Sequence, residues 1–172
     1  MNKRIKFAKL VLGLLFCGMS WAAQGQDPTD SLPGDPGSLG VYSLQDLQFG
    51  AFSHGAAGGS VIISPAGARS VTGSVTALDF GISYFQAIFN VTAPEGMIIS
   101  ISNGPDATLL GSNGGSMLLH LGESSPGSPF VNMIPSPGHV SVGIGGVLTV
   151  GNASANPPGA YSGTIYVTFN QE

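Results

Sequence analysis

Apolar residues recur at every second position through much of this chain, and glycine or proline interrupts them at short intervals. The clearest case is the C-terminal stretch PGAYSGTIYVTFNQ, residues 158–171. There Ile165, Val167 and Phe169 share one parity, and Thr164, Tyr166 and Thr168 share the other. Successive side chains of a β-strand point to opposite faces, so this spacing gives a strand one apolar and one polar face. The same period marks Phe85, Ala87, Phe89, Val91 and Ala93 and predicts a central core strand over 81–93. Shorter strands are expected over 60–64 (SVIIS), over 69–78 with Val71, Val75 and Ala77 on one face, and after Gly96 with Met97, Ile99 and Ile101 inward. In SMLLHL, Met117, Leu119 and Leu121 fall together and His120 falls opposite.

The segment HVSVGIGGVLTVG keeps Val140, Val142, Ile144, Leu148 and Val150 in one parity straight through Gly145 and Gly146. A two-residue hairpin would break that parity between its arms, whereas a bend in one long strand preserves it. One bent strand is therefore expected. The glycine-rich GAFSHGAAGG (50–59) and the Ser/Pro/Gly-rich 122–138 read as loops. The result is about eight short strands with turn signals between them and no helical period after the N-terminal segment, the pattern of an all-β antiparallel sandwich.

Composition agrees: 27 glycines, 12 prolines and 8% charged residues leave little for long charged helices, and 42% hydrophobic residues argue against simple disorder. The charge is unevenly placed. Lys3, Arg4, Lys6 and Lys9 precede an apolar run, LVLGLLFCGMSWAA (10–23), and Arg69 is the sole basic residue beyond it. A basic start, a short apolar stretch and small residues after it are the layout of an export signal, expected to be a helical segment over 1–23. Small residues at Ser20 and Ala22, and at Ala23 and Gly25, offer two cleavage points. The run is too short for a comfortable membrane span, so contact with the membrane is expected only during export. Cys17, the sole cysteine, lies inside this segment behind Phe16, which does not suit lipid attachment. The exported chain would then have no disulfide. It would carry one basic residue against nine acidic ones, a net charge of −8, which argues against nucleic acid and anionic membrane surfaces. Residues 24–41 read as a flexible Pro/Gly leader, and 42–172 as the folded domain.

Catalytic groupings do not emerge. His54, His120 and His139 lack the close, regular spacing of metal ligands and read as solvated surface groups. Gly-x-Ser-x-Gly is absent. Asp46, Asp79, Glu95, Asp106 and Glu123 sit at strand ends and turns, where charge serves solubility. Asn103, Asp106 and Asn113 would offer calcium too few carboxylates. No catalytic residue, cofactor or metal is expected. Asn90, Val91 and Thr92, and Asn152, Ala153 and Ser154, match a glycosylation pattern that carries little weight here. Tyr161 is more informative. A tyrosine just before a late strand can fold back and hydrogen-bond the backbone upstream. Pro158 and Gly159 would set that corner, and Gly163 would allow close approach, so Tyr161, Gly159 and Gly163 are structural candidates.

Three stretches carry a family resemblance: LQFGAFSHGAAGGSVIISPAGARSVTGSV (47–75), GGVLTVG (145–151) and PGAYSGTIYVTFN (158–170). Their Phe-Gly start, Gly-x-Arg-Ser-x-x-Gly turn and Pro-Gly-x-Tyr-x-Gly ending resemble the bacterial exported family called domain of unknown function 4402. The ending is also similar to pilin-like and spore-coat-like secreted sandwiches. The resemblance spans about 44–170, with a weak match over 103–138. It implies an immunoglobulin-like β-sandwich in a cell-surface or fimbrial setting, and no catalytic residues.

The closing strand needs neighbours on both sides or leaves an edge exposed. Either its own domain completes the sandwich, or another subunit adds a strand. The candidate donor, SLGVYSLQDLQF (38–49), does not alternate consistently, which favours a self-complete domain. The expected function is that of an exported, non-enzymatic cell-surface or fimbrial-type structural protein, found in the periplasm, at the surface or outside a bacterium. Its partners would be copies of itself or other surface or pilus subunits. The alternative is a carbohydrate-binding module stacking sugars on Tyr42, Tyr84, Tyr161 and Tyr166, since Trp21 lies in the export signal.

Overall fold

The computed structural model describes residues 38–172 throughout, together with the backbone of one N-terminal strand. That strand is β1 (Lys3–Phe7). Then come β2 (Gly40–Gln45), β3 (Gln48–Phe49), β4 (Phe52–Ile63), β5 (Arg69–Ala77), β6 (Tyr84–Phe85) and β7 (Ala87–Thr92). They are followed by β8 (Ile98–Asn103), β9 (Ala107–Gly111), β10 (Ser116–Ser125), β11 (Phe130–Val131), β12 (Val140–Val150), β13 (Tyr161–Ser162) and β14 (Ile165–Gln171). Among the described residues there is no helix, and every pairing between named strands is antiparallel. The rest of the expected export signal and most of the leader lie outside the described residues.

Two sheets make the sandwich. The smaller runs β1-β14-β8-β11. The larger is organised by β12, which pairs along one side with β10, and β10 with β9 and β9 with β13. Along its other side β12 changes partner. Residues 140–144 pair with β7, which pairs with β2, and residues 146–150 pair with β4, which pairs with β5. The exchange falls at Gly145, where a Cβ would collide with the Ile63 carbonyl oxygen. The expected single bent strand is thus one continuous strand shared between two sets of neighbours.

The core lies between the sheets. Ile99, Ile165, Val167 and Phe169 face it from the smaller sheet, and Val61, Val91, Val142, Ile144 and Leu148 from the larger, all buried. Phe89 and Phe169 meet across it with ring centroids 5.5 Å apart and planes at 59°, a tilted aromatic pair. Each fully buried aliphatic or Phe side chain contributes about 1.5–3 kcal/mol of transfer free energy. Alternation therefore decides which way each strand faces.

Four local expectations change. GAFSHGAAGG is not a loop: β4 runs through it, with a register shift against β5 between His54 and Gly59. β5 pairs with both flanks, and residues 55–58 of β4 form the bulge, with Gly58 at φ +66° and Gly73 of β5 at φ +67° beside it. Residues 81–93 are not one strand. Tyr84 and Phe85 pair with β3, the chain steps across at Gln86, and only β7 enters the core; Phe85 is exposed. Within 122–138, β10 continues to Ser125 and β11 adds a short rung; upstream of that stretch, β9 is a strand that its brief pattern did not disclose. Ala77, expected to share a face with buried Val75, is exposed at the end of β5.

Candidate functional site

Tyr161 sits at the entrance of β13 with 4% of its surface exposed, and its hydroxyl donates to the Pro157 carbonyl at 2.7 Å. Burial pushes the Tyr161 hydroxyl above its usual pKa, opposed by hydrogen bonding from Asn156. Gly163 lies against β9, where a Cβ would stand 2.7 Å from the Thr108 carbonyl oxygen. At Gly159 a Cβ would crowd Ser112 Oγ at 2.7 Å. These three residues form one corner between the 152–160 turn and β9.

Sequence reasoning missed the residue at the centre of that corner. Asn156 is buried (2% exposed). Its Oδ1 accepts from the Gly151 amide at 2.5 Å, and its Nδ2 donates to Ser116 O at 2.6 Å and Ala155 O at 3.0 Å. It thus joins the end of β12 to the start of β10. Its own carbonyl lies 3.1 Å from His54 Nε2. A carbonyl only accepts, so Nε2 carries a proton in this contact. His54 Nδ1 is buried without a hydrogen-bond partner among the described residues. The neighbouring Asn152 Oδ1 accepts from the Ser154 and Ala155 amides, so it caps a turn. The available signal was Asn152 and Asn156, four residues apart, just ahead of Pro157 and Pro158.

Beside this corner opens a cavity of about 360 Å³. Phe52 and His54 of β4, Leu78, Phe80 and Ile82 of the loop between β5 and β6, and Tyr161 are among its walls. The lining is mainly apolar, and Phe80 is 72% exposed. Such a cavity suits an apolar group and offers no cation to an anionic one.

Arg69 was also missed as a structural residue. It is the only Lys or Arg beyond residue 9, and its Nη1 donates to Phe49 O at 3.3 Å and Ala51 O at 3.2 Å. Its Nη2 donates to Leu78 O at 3.5 Å, and its guanidinium lies 4.2 Å from the Tyr84 ring centroid. The Gly-x-Arg-Ser-x-x-Gly motif is therefore a clamp: Arg69 ties β5 to the 49–51 turn and to β6, and Gly73, at φ +67°, pairs with Gly59 where the β4 bulge ends. A second buried staple, Asn132, donates through Nδ2 to Ala93 O at 2.5 Å and Ile134 O at 3.0 Å, fixing the 122–138 segment to the end of β7.

The remaining candidates stay apart. His120 Nδ1 lies 2.7 Å from Asp106 Oδ1, an exposed pair between β10 and the start of β9. Asn103 donates to Gly122 O, and Asn113 to Pro158 O, so neither joins Asp106 around a common point. His139 is exposed at the start of β12. Among the described residues no three of His, Cys, Asp and Glu are grouped to hold a metal ion. Of the four tyrosines, Tyr161 is buried, Tyr84 is capped by Arg69, and Tyr42 and Tyr166 are exposed on different sheets.

The last feature is an edge. β14 pairs with β8 on one side and with β1 on the other, in five pairs from Lys3 opposite Phe169 to Phe7 opposite Ile165. Within 38–172, β14 thus has a single neighbour.

Architecture and local chemistry define a class: an antiparallel β-sandwich domain whose distinctive residues brace turns and strand crossings. The family follows from the sequence that builds those braces. The chain belongs to the family described as Domain of unknown function (DUF4402), whose model matches residues 39–170 and so takes in the Arg69 clamp, β12 and the Tyr161 corner. No curated protein and no solved structure matches the chain.

Proposed function

We propose that this chain is an exported, non-enzymatic structural protein of a bacterial cell surface, a fimbrial-type subunit whose partners are copies of itself or other surface subunits. The carrying observation is the β14 edge. Its outer neighbour, Lys3–Phe7, belongs to the segment read as an export signal, and removal of that segment uncovers the strand. An uncharged strand edge left open in an exported protein is a template for another chain. The acidic balance of the exported part supports protein partners over nucleic acid. The residues that sequence and structure single out (Arg69, Asn132, Asn156, Tyr161) are spent on backbone carbonyls and amides, which supports a structural role.

The test is made in producing cells. Fractionation and the intact mass of the accumulated protein report export and loss of the N-terminal segment. Electron microscopy of cells with and without the protein reports surface structures. A cytoplasmic chain retaining residue 1 would end this reading.

The cavity beside Tyr161 favours a second reading, a ligand-binding module. Its apolar lining points to an apolar ligand rather than a sugar, since two of the four tyrosines are not free to stack. Calorimetry with glycans and with small aromatic or acyl compounds separates the two ligand classes.

A further inference from the structure

We infer that the β14 edge, once the N-terminal segment is removed, is closed by β14 of a second copy, antiparallel and centred on Val167. This rests on the export reading above. The seat is already visible. Residues 3–7 (KRIKF) lie along residues 165–169 with Ile5 opposite Val167 and Phe7 opposite Ile165. A second β14 centred on Val167 lays IYVTF over the same five places. Its Val167 takes the position of Ile5, and its Phe169 takes that of Phe7. Ile165 of each copy then faces Phe169 of the other on the core side, and Tyr166 faces Thr168 on the outer side. Directly opposed residues of an antiparallel pair share a face, so the register keeps the apolar parity of both strands.

The other edges of the described sheets are poor competitors. β11 and β13 are two residues each, β2 carries a register shift between Ser43 and Gln45, and β5, though nine residues long, carries the charge of Arg69 and a positive-φ glycine, Gly73, in mid-strand. Short edges and bulges are the usual defences against edge pairing. β14 has seven residues with no proline, charge or register shift. Pairing a strand with its own copy is a two-fold contact that closes on itself. It joins two three-stranded sheets (β14-β8-β11) into one of six.

The test is disulfide capture in the full-length chain carrying Cys17→Ser, which leaves no native thiol. Copies carrying Tyr166→Cys and copies carrying Thr168→Cys, with tags of different mass, are produced together and oxidised. Directly opposite residues are about 4.5–5.5 Å apart at Cα, within disulfide reach. The mixed dimer should exceed either same-position dimer by several-fold. A control pair at Thr76 and Ser70 of β5 should give only background. Light scattering of the purified exported protein should read a dimer, and Thr168→Lys should read a monomer. Equal yields from all combinations, or capture at Thr168 alone, would overturn the register. A monomer with a cleaved N-terminus would overturn the pairing while leaving export intact. A chain that keeps residues 1–23 overturns both, and the mass of the product tells these cases apart.

Discussion

Asn156→Ala tests whether the corner beside Tyr161 is held by one buried amide. The substitution removes the acceptor for the Gly151 amide and the donor to Ser116 O. Ser116 is exposed, so water can replace the lost donor there. Gly151 is half-buried, and its amide loses the bond at 2.5 Å. One orphaned buried donor costs about 1–3 kcal/mol, and the lost bond to Ser116 about 1 more. The adjoining cavity of about 360 Å³ gives water an approach and moderates the loss. The expected destabilisation is about 2–3 kcal/mol, a fall of about 6–12 °C in Tm for a domain of this size. Urea unfolding followed by far-ultraviolet circular dichroism measures it. Asn156→Asp sharpens the test. A carboxylate can still accept from Gly151 but cannot donate to Ser116, and its burial favours the neutral acid. The variant should therefore lie further below wild type at pH 7 than at pH 4. Loss of less than about 0.5 kcal/mol in Asn156→Ala, or an Asn156→Asp chain as stable as wild type at pH 7, would refute the reasoning.

Three other perturbations follow from the same geometry. Arg69→Met should cost about 2 kcal/mol, because three carbonyl contacts and the Tyr84 stack go together, and Arg69→Lys should recover less than half of it, since an ammonium cannot fork; chemical denaturation of both reads the difference. Tyr161→Phe should lose about 1–2 kcal/mol at neutral pH for its bond to Pro157 O. The raised pKa of Tyr161 adds a pH signature: above about pH 10 the unfolded chain ionises while the fold holds the hydroxyl neutral, so wild-type stability falls with rising pH and the Phe variant lacks that part of the slope. Gly145→Val should cost about 3 kcal/mol or prevent folding, because its Cβ meets the Ile63 carbonyl, whereas Gly146→Ala, with Leu119 Cδ1 at 3.0 Å, should be milder; thermal melts rank the two.

How much was legible depended on the distance over which each feature acts. Strands that bury one face alone, such as β10 and β14, show it in their own residues: Met117, Leu119 and Leu121, or Ile165, Val167 and Phe169, point inward as their parity requires. β4 through GAFSHGAAGG was not legible, because glycine joins a strand only when a partner holds it, and that partner is β5. Phe85 was misplaced because parity tells which face a residue takes but not which sheet its strand joins. Tyr161 was marked by its local turn. Arg69 and Asn156 were not, since key partners of each, Phe49 and Ala51 for Arg69 and Ser116 for Asn156, lie well outside their own turns.

By itself the sequence determined the all-β class, the inward faces of its best strands, the continuity of β12 and the family, because alternation and glycine placement act within a few residues. Tertiary structure alone decided which strands share a sheet, where β12 exchanges partners, what Arg69 and Asn156 hold, and that β14 within 38–172 has a neighbour on one side only. Backbone hydrogen bonds between strands are indifferent to side-chain identity, so pairing is settled only when every face must be buried at once.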